Sequence, residues 1–229
     1  MYKDVKLLTK DDTNLKVKVI ENFEYSKELT HCVLTVDEFF KAVKSQPIVF
    51  TKNIDGAYLV SALLGIKKDT NNFLNEKFEW KEGEYIPAYV RRYPFIVVQD
   101  KENFSLAYDA KCKAINTKEG QSLLGTDGKQ TEYAKGVMDF MENFHTSSLR
   151  TLAFVHKVSE LDLLEDANIE MTVKGQKFAF NGFKRINEEK LNALDDDKTM
   201  ELIKNGYYKL IVAHLISMSN FKKLIALEN

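Results

Sequence analysis

Residues 85–95, YIPAYVRRYPF, set three tyrosines, two prolines and two adjacent arginines side by side. A guanidinium is a planar fork that pairs with a carboxylate or phosphate through two parallel hydrogen bonds and also stacks on aromatic faces. Such a segment can hold an anion, stack on a sugar, or fasten one part of a fold to another. Trp80, the only tryptophan, stands just ahead of Tyr85 and would extend an aromatic platform. The candidate ligand-binding set is therefore Trp80, Tyr85, Tyr89, Arg91, Arg92 and Tyr93. If 89–93 is extended, side chains alternate between faces, sending Tyr89, Arg91 and Tyr93 one way and Val90, Arg92 and Pro94 the other. One arginine would then pair with a buried carboxylate, while the other stacks between tyrosine rings or meets a ligand anion. Architecture and binding both remain open readings.

Other residues offer less. His31, His145, His156 and His214 show no HxH, HxD or HExxH spacing. On an unbroken helix His145 and His156 would share nearly one face but lie about 16 Å apart along the axis, too far for one metal ion. His214 and Ser217 share a helical face as a base and nucleophile would. No G-x-S-x-G elbow accompanies them, and a serine on a buried helix ordinarily bonds its own backbone. GQSLLGTDG at 120–128 lacks the ending of a phosphate loop and reads as turns, and Asp195, Asp196 and Asp197 read as a helix start. Cys32 and Cys112 are solitary, which argues against a disulfide framework or a cysteine-rich metal site. No metal and no cofactor are expected, and no catalytic residue is assigned.

The elements that must position these residues follow from pattern. LKVKVI at 15–20 alternates as a half-buried strand does. Thr35 and Glu38 make a T-x-x-E capping box, opening a short helix that turns Phe39, Phe40 and Val43 to the core and stops at Pro47. IVF at 48–50 and AYLVSALLG at 57–65 form a hairpin around Asn53, Ile54, Asp55 and Gly56. FIVVQ at 95–99 and FSLAY at 104–108 form a second around DKEN, so that the arginine segment feeds a central strand. After the Thr126-Asp127-Gly128 turn, helical periodicity runs from Thr131 to about Leu164 through Val137, Phe140, Met141, Phe144, Leu149, Leu152, Phe154, Val155 and Val158. This is one helix, or two broken near Thr146, Ser147 and Ser148. A third hairpin spans 169–186 around Lys174 and Gly175. Asn187 caps one short helix, Asp196 or Asp197 the next, Gly206 closes that one, and an apolar helical tail follows.

Composition bounds the function. A chain of 229 residues with 44% hydrophobic side chains can build a sizeable core. Lys and Arg number 33 against 34 for Asp and Glu, so no electrostatic footprint for nucleic acid is present. The N-terminal residues lack the apolar core of a signal peptide, and no apolar run reaches the roughly 20 residues of a membrane span. A soluble, cytoplasmic protein is expected, folded as a single compact α+β domain over 1–229, with hairpins packed on a long helix and a small C-terminal helical region.

EFFKAVKSQPIVF at 38–50, ALLGI at 62–66, YIPAYVRRYPF at 85–95, TDG at 126–128 and AHLISM at 213–218 succeed one another in an order that resembles the SapC family of bacterial proteins. The resemblance covers nearly the whole chain, and the arginine block is its most distinctive part. It implies a link to bacterial surface-layer systems and supplies no catalytic residues. The first expectation is a non-enzymatic binding or accessory protein of surface-layer or envelope-polymer production, with an anionic or glycan ligand and a protein partner in that system. The alternative is a hydrolytic or modifying enzyme whose site joins Arg91 and Arg92 to His145, His156 or His214.

Overall fold

The IVF run at 48–50 is continuously apolar because both of its faces are covered. In the computed structural model, which describes residues 1–100 and 103–228, Ile48, Val49 and Phe50 are all fully buried. Their strand, Ile48–Lys52, lies at the centre of a five-stranded antiparallel sheet. The order is Leu164–Asp166, Lys184–Ile186, Ile48–Lys52, Tyr58–Leu63, His31–Val33. Ile48 faces Ala62 and Phe50 faces Val60 across the expected hairpin. The Asn53 side chain holds the turn by accepting the N–H groups of Asp55 and Ala57. The architecture is α+β.

A second sheet orders Val5–Leu7, Asn103–Asp109 and Phe95–Asp100. The strand that leaves the arginine segment is therefore an edge and not central as expected, because Val5–Leu7 pairs on the far side of Asn103–Asp109. Lys101 and Glu102, the middle of the expected DKEN turn, lie outside the described residues. Of LKVKVI only Lys16–Val17 is strand, held between Ile115–Asn116 and Gln121–Ser122. Val17 is buried, whereas Val19, next in the alternation, is 86% exposed. Ile169–Val173 and Gln176–Phe180 form the third hairpin, but it ends early. Past Gly182, at φ +83°, Lys184–Ile186 leaves it and joins the five-stranded sheet.

Glu132–Glu160 is one helix, unbroken at 146–148 and capped by the Thr131 hydroxyl, which accepts from the Ala134 N–H. At 1.5 Å per residue it is about 43 Å long, enough to serve two apolar clusters. Ala134 and Met141 pack with Val17, Phe95 and Leu123 in the smaller one. Phe154, Val155 and Val158 pack with Phe50 and Phe39 in the larger. Leu149 and Leu152, counted in the periodic stripe, face outward instead. Phe40 also faces outward, while Phe39 meets Phe154 edge-on. Adjacent helical residues diverge by about 100°, so this short helix seats only one of the two rings.

The C-terminal helices are Glu188–Asn192, Asp196–Lys204, Tyr207–Ser217 and Asn220–Ala226. Asn187 caps the first, and Gly206 sits in the left-handed region at φ +73°. The second is capped by Asp195, accepting the Lys198 N–H at 2.8 Å, one residue before the expected Asp196 or Asp197.

Candidate functional site

Residues 85–95 are not extended as expected. Ala88–Arg91 forms a single helical turn behind Pro87, Arg92 ends it, and the Tyr93–Pro94 peptide is cis. A helix start leaves N–H groups without partners, and a carboxylate satisfies them well. Here the carboxylate comes from a distant residue. Buried Glu38 accepts the Ala88 N–H at 2.6 Å and the Tyr85 hydroxyl at 2.9 Å on Oε1. Its Oε2 accepts the Thr35 N–H and hydroxyl, both at 2.9 Å, so the capping box forms and its acid does a second job. Ser45 Oγ accepts the Tyr85 N–H, and Gln46 Nε2 donates to the Tyr85 carbonyl. Burial, and then the Glu38 charge, push the Tyr85 hydroxyl well above the usual tyrosine range.

This turn changes where the arginines point. Successive side chains are separated by about 100° on a helix and not by the half-turn of a strand, so both guanidiniums reach the same element. Arg91 lies 5.4 Å from the ring centre of Phe140, and Arg92 lies 5.0 Å from that of Phe144, one turn further along the long helix. Arg92 also stands over Tyr89 at 4.4 Å and Tyr2 at 5.6 Å. Neither arginine meets the expected buried carboxylate. Among the described residues, Arg150 and Arg185 form ion pairs with Asp37 and Glu165, and Arg91 and Arg92 form none. Arg91 Nε donates to the Ile86 carbonyl, while the buried Nε of Arg92 has no hydrogen-bond partner.

A tyrosine cluster backs this pair. Tyr93 stacks on Tyr25 with ring centres 4.2 Å apart and tilts against Tyr2 at 5.5 Å. The Tyr25 hydroxyl donates to the Val90 carbonyl and the Tyr2 hydroxyl to that of Phe95, so both rings hold the backbone on either side of the arginines. Burial lifts the Tyr2 hydroxyl to about 12 against the opposing pull of Arg92. Tyr93 donates to buried Asp109, which also accepts the N–H groups of Asp4 and Lys111. Burial alone would raise the Asp109 carboxyl, but these donors together hold it below the usual range. Trp80 takes no part. It is a core residue, stacked on Phe73 at 5.6 Å and edge-on to Phe23.

Arg91 and Arg92 line one side of a cleft of about 620 Å³. The long helix contributes Glu132, Tyr133, Gly136, Val137, Phe140 and Met141 to its lining, and the 17–20 segment completes it. Tyr93 and residues 18–20 also line a second cleft of about 560 Å³, together with Lys3, Lys111, Lys113 and Cys112.

No histidine lines either cleft among the described residues. Nor does any group of three or more His, Cys, Asp or Glu among them cluster as a metal site would. His145 packs edge-on against Phe104, and His156 lies on the outer surface of the same helix. His214 is fully buried. Its Nδ1–H donates to the Ile48 carbonyl at 2.7 Å and its Nε2 accepts the Ile186 N–H at 3.0 Å, an arrangement that fixes the tautomer. Ser217 donates to the His214 carbonyl and accepts the Ile48 N–H, so the pair docks a helix on a strand and does not act as base and nucleophile.

The site thus keeps Tyr85, Tyr89, Arg91, Arg92 and Tyr93 together and leaves Trp80 out. Sequence reasoning missed Tyr2, Tyr25, Glu38 and Asp109 as its supports. Phe140 and Phe144 carried a legible signal, two aromatics four apart on a helix, although nothing linked them to the arginines.

A protein-family model described as SapC matches residues 7–224. No curated protein and no solved structure matches the chain.

Proposed function

The chain belongs to the SapC family, and from that premise we propose that it is a binding or accessory protein of surface-layer or envelope-polymer production that holds an anionic ligand at Arg91 and Arg92. In this reading it is not an enzyme, it works in the cytoplasm as one unit, and a protein of the same system receives or delivers the ligand. One observation carries the proposal: two neighbouring guanidiniums border one cleft without a carboxylate partner among the described residues. Contact with the Phe140 and Phe144 rings positions the two guanidiniums, and a planar fork suits an oxyanion that enters the cleft. The two charges are thus held in place beside the cleft, and neither is neutralised by an ion pair among the described residues.

The test is a thermal-shift titration of the full chain with inorganic phosphate, glucose 1-phosphate and an oligosaccharide of uronic acids, beside Arg91→Gln. Saturable stabilisation by at least one anion, weakened tenfold or more in the variant, supports the reading. No shift from any of the three, or equal shifts in both proteins, overturns it.

A further inference from the structure

Gly136 stands inside the long helix, where glycine is the least favourable residue after proline. Packing does not require it, for a Cβ built there would meet nothing within 4 Å. The missing side chain is on the cleft wall, so its absence leaves room beside Val137, Phe140 and Met141. Val19, an apolar side chain left 86% exposed, lines the same cleft. The cleft therefore has an apolar slot at Gly136 and cationic groups at Arg91 and Arg92.

We infer that the cleft binds a single-chain amphiphile, with an oxyanion head group at the arginines and an aliphatic chain in the slot beside Gly136. The inference rests on the anion reading above and narrows it to a ligand class. Charge complementarity places the head, since a phosphate or carboxylate suits the guanidinium forks. The apolar wall places the tail, because removing methylenes from water favours binding about fourfold for each one fully buried. The volume, about 620 Å³, falls within the roughly 300–1,000 Å³ of small-molecule sites and suits one ligand of this size. Substrates of this type are produced by reactions that join a phosphate or carboxylate to an aliphatic chain, and the protein would carry or present them.

Calorimetric titration of the full chain with ethyl phosphate, decyl phosphate, decanoate and decyltrimethylammonium, each below its micellar concentration, tests this. Decyl phosphate should bind at least tenfold more tightly than ethyl phosphate, with a negative heat-capacity change, and decanoate should follow it. A Cβ at Gly136 meets nothing within 4 Å, so Gly136→Leu should place its side chain in the slot and abolish the chain-length gain, while ethyl phosphate binding at the arginines persists. Arg91→Gln should weaken both phosphates and leave the gain from the chain intact. Equal affinity for ethyl and decyl phosphate overturns the slot and spares the anion reading. Binding of the ammonium as tightly as the phosphate overturns both, as does no binding by any probe. A chain-length gain that survives Gly136→Leu places the tail elsewhere and overturns the slot.

Discussion

Glu38 Oε1 stands 2.6 Å from the Ala88 nitrogen, so a carboxylate in the 38–50 block starts the helical turn that aims the arginines of the 85–95 block. The same loop goes on to bind the C-terminal block: Ile48 holds Ser217 and His214, and Asn220 donates to the carbonyls of Val43 and Gln46. Three sequence blocks that read as separate landmarks are one buried polar network.

Removing Glu38 should therefore be costly. Glu38→Ala leaves the Ala88 N–H, the Thr35 N–H and the Tyr85 hydroxyl without their acceptor, and a loss of about 3–5 kcal/mol is expected. Tyr85→Phe removes one of these donors and should cost about 1–2 kcal/mol. Urea unfolding of the two variants and their double mutant measures the coupling. Additive losses would show that the two side chains do not act together.

His214 makes stability fall in acid. Burial holds it near 4, below its ordinary 6.5, so the folded chain keeps it neutral where the unfolded chain takes up a proton. Stability from this group is complete above pH 6.5 and is lost as pH drops toward 4, by about 3 kcal/mol in all. His214→Gln should be less stable than the parent at pH 7.5 but lose much less on going to pH 4.5. Parallel denaturation curves at the two pH values check this.

Two glycines should respond in opposite directions to alanine. A Cβ at Gly65 would lie 1.8 Å from the Thr70 carbonyl oxygen, an impossible approach to backbone. Gly65→Ala is expected to destabilise by more than about 2 kcal/mol, whereas Gly136→Ala should stabilise by about 0.5–1 kcal/mol through helix propensity. Melting temperatures of both variants decide the point.

Arg91→Lys and Arg92→Lys should differ, though not for the reason alternation suggests. Arg92 is enclosed by Tyr2, Tyr89 and Phe144, and an ammonium would stack poorly there, costing about 1–2 kcal/mol. Arg91 is exposed and should lose less than about 0.5 kcal/mol while binding of anions weakens. Equal stability losses in unfolding experiments would contradict the cage.

Local rules made much of this fold legible in the sequence. Asn53 and Gly56 specify their turn, Thr131 and Asn187 their helix starts, and Gly206 its helix end, because each acts within a few residues. The hairpin at 48–63 and the long helix follow from period. LKVKVI misled, since alternation describes a strand only where a neighbour covers one face, and pairing here stops at Val17.

The α+β class, the order of most elements, the family and the arginine segment as the centre of interest were all legible in residue pattern. How that segment is folded and where its arginines point came from long-range contacts. Glu38, 50 residues before Ala88, supplies the carboxylate at the start of the 88–91 turn, and this turn sends Arg91 and Arg92 to one cleft instead of two faces. Tyr2, Tyr25 and Asp109 reach the site only through the second sheet and its neighbours. Such contacts join residues far apart in the chain, and their energies depend on distances that no local pattern encodes.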